Sequence, residues 1–181
     1  MTITTSLAAI AMTAAALCVV TGASSLATAQ TAAAQGVDVA VASSDGIRSF
    51  NAEDIPTYVI AEDGTVDWPT FSGYRRYHAE CHVCHGPDGQ GSSYAPALKD
   101  SVMRLDYYEF LEIIAGGKQD VGAAQNLVMP AFGTNPNVMC YTDDIWTYLR
   151  ARGTGDLDRG RPAKRADKPA EYAEVEKSCM E

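Results

Sequence analysis

Residues 81–85 read Cys81-His82-Val83-Cys84-His85 and form a C-x-x-C-H motif, the most distinctive stretch of the chain. At this spacing two thiols join the vinyl groups of a haem as thioethers, and the histidine that follows binds the iron from one face. The spacing matters because both cysteines must reach adjacent pyrrole edges while the imidazole reaches the metal. The motif therefore predicts one covalently attached haem c, with Cys81 and Cys84 as attachment points and His85 as an axial ligand.

Two other kinds of site use a pair of cysteines at this spacing. A zinc knuckle built on the motif would need a fourth ligand, which Cys140 or Cys179 would have to supply. A thioredoxin-like redox pair would need a βαβ setting, and no such pattern surrounds the motif. We therefore favour haem c over both alternatives.

The second axial ligand can be sought by elimination. All three histidines, His78, His82 and His85, lie within eight residues of one another, so no distant histidine is available to the iron. We expect His78 and His82 to face solvent or to pack in the first helix and its loop. The remaining candidates are the methionines outside the N-terminal leader: Met103, Met129, Met139 and Met180.

Met129 is the favoured ligand because a proline follows it in the sequence VMPAFG, residues 128–133. Proline lacks a backbone donor and restricts the chain, so we expect Met129 to lie on a stiff, non-helical loop that holds its thioether against the iron. A lone methionine more often fills a core. Met139 is the next candidate, followed by an open coordination position. A His/Met pair fills both axial positions and raises the reduction potential, which suits electron transfer.

The N-terminus has the pattern of an export signal. Residues 7–20 are an apolar run too short to span a bilayer, and residues 27–29 (ATA) match a cleavage signature. We interpret residues 1–29 as a secretory signal peptide. No basic residue precedes Arg48, so an uncleaved membrane anchor is the alternative. Export to the bacterial periplasm would remove Cys18 and leave four cysteines in an oxidising compartment.

The net charge of −9 is unevenly distributed along the chain. Between Arg150 and Lys177 lie 8 of the 14 Lys and Arg residues, whereas the mature chain before residue 150 holds 6 basic and 16 acidic residues. An acidic body argues against binding to nucleic acid, whose phosphates require a basic surface, and it disfavours an anionic membrane surface. We expect a monomer without stable membrane insertion.

The chain before the motif is expected to contain a flexible leader and a hairpin. Residues 30–56 include a small, polar stretch without helical period, so we assign them to a flexible leader. In residues 57–68, β-forming side chains stand on both sides of Asp63-Gly64, which predicts a two-residue hairpin. A loop with incidental aromatic residues is the alternative.

Three helices are predicted around and after the motif. Aromatic residues at helical spacing predict the first over residues 71–80. A capping box at Asp106 begins the second, which the glycines at 116–117 end. The third begins at residues 142–144 (TDD), where a cap and two carboxylates meet the positive end of a helix, and Gly153 stops it.

The motifs in their order resemble those of class I c-type cytochromes. The resemblance rests on CHVCHG (81–86), APAL (95–98), MPAFG (129–133) and the helix segment IWTYL (145–149). It implies an all-α haem domain, which we assign with the preceding hairpin to residues 57–153. It also implies that the carbonyl of Pro96 accepts a hydrogen bond from the second ring nitrogen of His85.

A longer resemblance, from about Val59 to Met180, is to the four-cysteine methanol-metabolism-related c-type cytochromes of the periplasm. It rests on VDW (66–68), YRRY (74–77), GPDG (86–89), SSYAP (92–96), MCY (139–141), RGRP (159–162) and Cys179. That family is associated with quinoprotein alcohol dehydrogenases. The resemblance implies an electron carrier between a pyrroloquinoline quinone (PQQ) methanol or alcohol dehydrogenase and a downstream c-type cytochrome or oxidase. A different donor, such as an aldehyde dehydrogenase, stays open.

Cys140 and Cys179 are the two cysteines left without a haem to bind. In an oxidising compartment we expect a disulfide between them, which would tether the charged tail, residues 154–181, to the haem domain. Two free thiols are the alternative. The tail has few large apolar residues and is not expected to bury much of itself. Its basic residues form either a solvated face or part of a docking surface: Arg159, Arg161, Lys164, Arg165 and Lys168.

Two classes of function compete for such a chain, an electron carrier and a haem enzyme. An enzyme would need an open iron site with an acid or base nearby, and the sequence has no histidine outside residues 78–85 for that role. We therefore expect an electron carrier. A haem subunit bound permanently to a dehydrogenase is the remaining alternative.

Overall fold

The computed structural model describes residues 37–121 and 126–181. The expected signal peptide, residues 1–29, lies outside these described residues, as do residues 30–36 of the expected leader. The helices are α1 (Trp68–Glu80), α2 (His82–His85), α3 (Leu98–Ser101), α4 (Tyr107–Gly116), α5 (Pro136–Met139), α6 (Thr142–Thr154) and α7 (Ala170–Met180). The strands are β1 (Ser43–Ser44), β2 (Ser49–Phe50), β3 (Pro56–Thr57), β4 (Thr65–Val66), β5 (Lys118–Val121), β6 (Asn126–Met129) and β7 (Lys164–Arg165).

Helices α1 and α6 pack closely against each other and carry much of the core. At Gly73 of α1, an added Cβ would lie 1.8 Å from the carbonyl oxygen of Asp144 on α6, so glycine permits this approach. Helix α1 begins at Trp68, earlier than predicted, because the side chain of Asp67 accepts a hydrogen bond from the backbone N–H of Thr70. Proline in the first turn suits that start.

The other two predicted helices are present: α4 ends at Gly116 with Gly117 as its cap, as predicted, whereas α6 ends later than predicted. The capping box at Asp106 is confirmed, since Asp106 and Glu109 bond each other's backbone N–H groups at the start of α4.

Helix α6 begins at Thr142, but Thr142 is its first helical residue and not the predicted cap, which is Tyr141, whose side chain makes no capping hydrogen bond. The helix continues past Gly153. A Cβ there would lie 2.5 Å from the carbonyl oxygen of Lys99. Gly155, at a φ of +86°, ends the helix instead.

Contrary to the expected flexible leader, residues 37–56 are folded. They supply β1 and β2 and the first residue of β3, and the three strands form an antiparallel sheet. The hydroxyl of Thr57 donates to the carbonyl of Val39 at 2.8 Å, and Arg48 donates to the buried carboxylate of Asp144 on α6. The expectation failed because this order comes from contacts with distant residues, which the polar composition of the segment does not show.

The segment around Asp63-Gly64 turns differently from the predicted two-residue hairpin. One antiparallel bridge joins Ile60 and Val66, and the backbone N–H of Ala61 donates to the carbonyl of Thr65, so the loop between Ala61 and Thr65 spans three residues, 62–64. Gly64 ends this loop at a φ of +81°, the left-handed position that a three-residue hairpin loop places after its turn. Strand β4 then pairs in parallel with β7 of the tail.

Met129 lies at the end of a strand instead of on the predicted loop. Strands β5 and β6 form an antiparallel hairpin in which Lys118 stands opposite Met129. Gly117 precedes this hairpin at a φ of +74°, and a Cβ on it would lie 2.6 Å from the carbonyl oxygen of Met129. Pairing with β5 therefore fixes the backbone of Met129, and the conformationally restricted Pro130 follows it in the chain.

The charged tail contains more structure than its composition suggests. Helix α7 buries Tyr172, whose hydroxyl donates to Asp144 of α6 and lies 2.8 Å from the hydroxyl of Ser72 on α1. A disulfide joins Cys140, at the end of α5, to Cys179 in α7. The tail therefore buries part of itself, because one tyrosine inserts between α1 and α6.

The five basic tail residues named above as a possible docking surface all have partners within this chain. Arg161 and Arg165 stack over Phe71, and Arg165 also stacks over Trp68, with the guanidinium carbons about 5 Å from the ring centres. The other three form ion pairs: Arg159 with Asp88, Lys164 with Asp63 and Lys168 with Glu176. Arg161 and Arg165 therefore hold the tail against α1, and these five side chains do not form an unpaired basic patch. Among the described residues, no helix combines the length and apolar character needed to cross a membrane.

Candidate metal centre

The two motif cysteines lie on one tight turn that follows α1. Cys81 ends α1, and its carbonyl oxygen accepts hydrogen bonds from the backbone N–H groups of Cys84 and His85 at 3.3 and 3.0 Å. Cys81 is partly buried and Cys84 is exposed, and both thiols are free. The turn therefore presents two unpaired thiols and one imidazole from five consecutive residues.

His85 is held in the orientation that a metal ligand needs. Its side chain is buried, and its Nδ1 lies 2.9 Å from the carbonyl oxygen of Pro96. A carbonyl can only accept, so Nδ1 donates and Nε2 keeps a free lone pair. Burial lowers the pKa of His85, and the hydrogen bond to Pro96 only partly opposes this. The ring is thus neutral at neutral pH, the form that binds metals.

Tyr77 fixes the loop that follows the motif, a role that the sequence did not reveal. Its buried hydroxyl donates to the carbonyl of Gly86 at 2.6 Å and accepts from the backbone N–H of Gly89 at 3.0 Å. Gly86 stands at a φ of +72°, and a Cβ there would lie 2.2 Å from the carbonyl oxygen of Gly91. The aromatic spacing predicted the helix that carries Tyr77 but gave no signal for its hydrogen bonds.

The two methionine candidates occupy different kinds of backbone. Met129 and Met139 are both partly buried and pack against the core. Met139 is the last residue of the short helix α5, directly before the disulfide-bonded Cys140. Met129 ends strand β6 and is followed by an exposed proline. The two candidates therefore differ in backbone, Met129 being extended and Met139 helical.

The donor set fits a haem better than a zinc ion. Cys140 and Cys179 are bonded to each other, so neither can serve as the fourth ligand of a zinc knuckle. In residues 37–121 and 126–181, no group of three or more His, Cys, Asp or Glu side chains is arranged to hold a metal ion. Two free thiols and one oriented imidazole are the protein groups that a covalently attached haem requires.

Uncharged side chains are exposed around the motif turn. Val83, between the two cysteines, is 82% exposed, and Tyr94 is exposed as well. The hydroxyl of Ser92 donates to the carbonyl of Cys84, which brings the loop that bears Tyr94 to this turn.

Comparisons with known proteins find c-type cytochromes. No family model matches the chain. It is 67% identical over 145 residues to cytochrome c-553I of Paracoccus denitrificans, an alignment that covers 80% of this chain. It is 32% identical over 100 residues to cytochrome c-555 of Methylococcus capsulatus, covering 55% of this chain and 75% of that protein.

A solved structure agrees with these relatives. The crystal structure of the c-type cytochrome XoxG from Methylobacterium extorquens AM1 matches with a TM-score of 0.72 and 52% identity, covering 81% of this chain and 93% of that one. The chain spans 64% of the length of the Paracoccus protein. Because the sequence matches and the structural match agree with the geometry of the motif turn, the chain belongs to the c-type cytochromes, a family of electron carriers that hold haem covalently.

Proposed function

We propose that this chain is a periplasmic cytochrome that carries electrons with a single haem. The observation that supports the proposal best is the turn that presents free Cys81 and Cys84 beside His85, whose ring the carbonyl of Pro96 orients. When bound, haem c supplies one-electron oxidation and reduction at an iron whose potential a methionine ligand raises. In this proposal the two cysteines form thioethers, and His85 and Met129 are the axial ligands.

The protein residues act by holding and covering the centre. Pro96 keeps Nδ1 of His85 protonated and its Nε2 directed outward as a ligand. Met129, on a strand end next to Pro130, would be the second protein ligand to the iron, and its thioether would raise the reduction potential. Electrons pass without a bond to any substrate, through the edge near the exposed Cys84 and Val83. Apolar side chains at that edge suit a brief encounter with a partner.

The proposed pathway is electron transfer from alcohol oxidation. The four-cysteine resemblance supports a periplasmic PQQ methanol or alcohol dehydrogenase as donor, and a downstream c-type cytochrome or oxidase as acceptor. A secretory signal peptide at residues 1–29 and a disulfide between Cys140 and Cys179 are consistent with an oxidising compartment. We propose a free monomeric carrier in preference to a permanently bound haem subunit.

The centre is tested by expressing the whole gene in a bacterium that exports and matures c-type cytochromes. Mass spectrometry of the purified protein should show a chain that begins after residue 29 and carries the mass of one haem. A Cys84→Ala variant should lose one thioether bond. A wild-type mass without haem, or with two haems, would overturn the proposed centre.

The pathway is tested by stopped-flow mixing with candidate donors. The oxidised protein should be reduced by a purified PQQ methanol dehydrogenase supplied with methanol, at a rate that depends on ionic strength because charge steering assists association. Reduction by an aldehyde dehydrogenase alone would contradict the alcohol pathway. Gel filtration of a periplasmic extract should place the protein at the volume of a monomer, whereas co-elution with a dehydrogenase would indicate a bound subunit.

A further inference from the structure

The end of helix α4 binds the backbone of the segment that follows Met129. A helix leaves its last carbonyl groups without partners inside the helix. In α4 the carbonyl oxygen of Ile114 accepts a hydrogen bond from the backbone N–H of Phe132 at 2.9 Å. The carbonyl oxygen of Ala115 accepts one from the backbone N–H of Gly133 at 3.1 Å. Two carbonyls that the helix leaves unpaired therefore hold the segment that begins at Met129.

Gly117, the residue that caps α4, lies directly against the backbone around Met129. Its φ and ψ are +74° and −179°, a combination that essentially only glycine adopts. A Cβ added to it would lie 2.6 Å from the carbonyl oxygen of Met129 and 2.9 Å from the backbone nitrogen of Ala131. Cβ atoms essentially never come within 3.0 Å of such atoms. Any other residue at this position must therefore displace the backbone that carries Met129.

Gly133 makes a second close contact at the far end of the same segment. A Cβ on Gly133 would lie 2.9 Å from the carbonyl oxygen of Ala115 in α4. The backbone of Gly133 is outside the left-handed region, so the contact alone calls for glycine there. Residues 129–133 thus touch the end of α4 at both of their ends, and a methyl group at either glycine pushes the two apart.

Helix α4 is a firm support for this segment because it is anchored in the core. Phe110 of α4 is buried, and the centre of its ring lies 5.0 Å from that of the fully buried Trp146 on α6. Gly117 also joins α4 directly to β5, the strand that pairs with the strand end at Met129. The helix end and the paired strand therefore fix the backbone of Met129 together.

We propose, building on the His85/Met129 centre proposed above, that Gly117 is a positioning residue for the axial methionine. Glycine at this position lets the backbone of Met129 approach the end of α4, and this approach sets where the thioether stands. A Cβ at position 117 displaces the strand end, and the thioether moves with it. The bond from Met129 to the iron is then weaker, and a ligand from solution replaces the methionine more readily.

The test is an imidazole titration of the oxidised, haem-loaded protein, followed by the weak long-wavelength band of methionine-bound ferric haem. Gly117→Ala should lose this band at a lower imidazole concentration than the wild type, or lack it from the start. Its reduction potential should also fall, because methionine ligation raises the potential. Gly116→Ala is the matched control, since Gly116 is exposed and a Cβ there meets nothing within 4 Å. It should match the wild type in both measurements.

Gly133→Ala tests the same contact without imposing backbone strain at the substituted residue. It adds a methyl group only against the carbonyl of Ala115, and it should shift the imidazole titration in the same direction as Gly117→Ala. Circular dichroism and mass spectrometry of each variant establish that the fold and the covalent haem are retained. If Gly117→Ala yields no haem-loaded protein, the titration of Gly133→Ala decides.

Two results would overturn the positioning role and leave the proposed centre standing. The first is that the glycine variants at 117 and 133 keep the imidazole titration and the reduction potential of the wild type. The second is that Gly116→Ala changes them as much as Gly117→Ala does. A band that survives in Met129→Ala would instead contradict the centre on which this inference rests, so the two failures are distinguishable.

Discussion

Arg48 and Asp144, 96 residues apart in sequence, form a buried ion pair that joins the N-terminal sheet to α6. Nη2 of Arg48 lies 3.0 Å from Oδ1 of Asp144, and the carboxylate is completely buried. Tyr172 of the tail donates to the second oxygen of the same carboxylate. Asp144 therefore connects both terminal extensions to the core.

Removing Arg48 should destabilise the protein strongly. Burial raises the pKa of Asp144 to about 6, and Arg48 opposes that shift, so at neutral pH the carboxylate is ionised and depends on its partner. Breaking a buried pair on one side costs about 3–5 kcal/mol. We expect Arg48→Met to lower the free energy of unfolding by that amount in urea titrations followed by circular dichroism.

The matched control is Lys164→Met. Lys164 also pairs with an aspartate, Asp63, but both side chains are 58% exposed. Exposed pairs contribute little because water and salt screen them. We therefore expect Lys164→Met to leave the urea midpoint of unfolding unchanged. Equal midpoints for Lys164→Met and Arg48→Met would contradict the role given to Asp144.

The disulfide should contribute to stability mainly by restricting the unfolded chain. Cys140 and Cys179 are separated by 39 residues, and the chain-entropy model gives roughly 4 kcal/mol at most for a loop of that size. The variant with both cysteines changed to serine should unfold at lower urea concentration and keep its haem spectrum. A reductant should lower the urea concentration at which half of the wild type is unfolded, and it should leave that of the variant unchanged. If the reductant changes neither midpoint, the disulfide does not form.

Tyr77→Phe should loosen the loop after the haem motif. The change removes the hydroxyl that bonds Gly86 and Gly89 and leaves both buried backbone groups without that partner. Such a loss costs about 1–3 kcal/mol. Hydrogen exchange at the amide of Gly89 should accelerate. Tyr94→Phe, at an exposed position, is the control, and an equal effect there would argue against the loop contact.

Alkaline pH should unfold the protein and ionise its buried tyrosines in the same transition. Burial raises the pKa of several tyrosines above the ordinary 10.0, to about 12 for Tyr141 and further for Tyr77 and Tyr148. The folded state then keeps protons that the unfolded state releases, so stability is intact below pH 10 and falls as pH rises above it. Tyrosinate absorbance and circular dichroism should change together. Ionisation of these phenols while the circular dichroism stays native would contradict this burial.

Local rules predicted the parts of the fold that depend on neighbouring residues. The Asp106 capping box follows from the local sequence alone. Helical spacing and the acidic first turn placed the start of α6 correctly near Thr142, although Thr142 does not cap it. The end of α6 was wrong because Gly153 serves a close contact with Lys99, a relationship that local sequence does not contain.

Long-range contacts explain what the sequence did not predict. Helix α7 buries only Tyr172, so its pattern lacks an apolar stripe, and its partners Ser72 and Asp144 lie far away in the chain. Residues 37–56 are folded partly because Arg48 in that segment pairs with the distant Asp144. In the candidate centre, the C-x-x-C-H motif identified the covalent turn, whereas the strand that carries Met129 forms by pairing with Lys118–Val121.

The optical spectrum of the oxidised protein and its Met129→Ala variant tests the central claim most directly. The wild type should show the weak long-wavelength band that methionine bound to ferric haem produces, and Met129→Ala should lose it while retaining covalent haem. Met139→Ala should keep the band. A wild type without the band, or a band lost in Met139→Ala and kept in Met129→Ala, would contradict the proposed His85/Met129 centre.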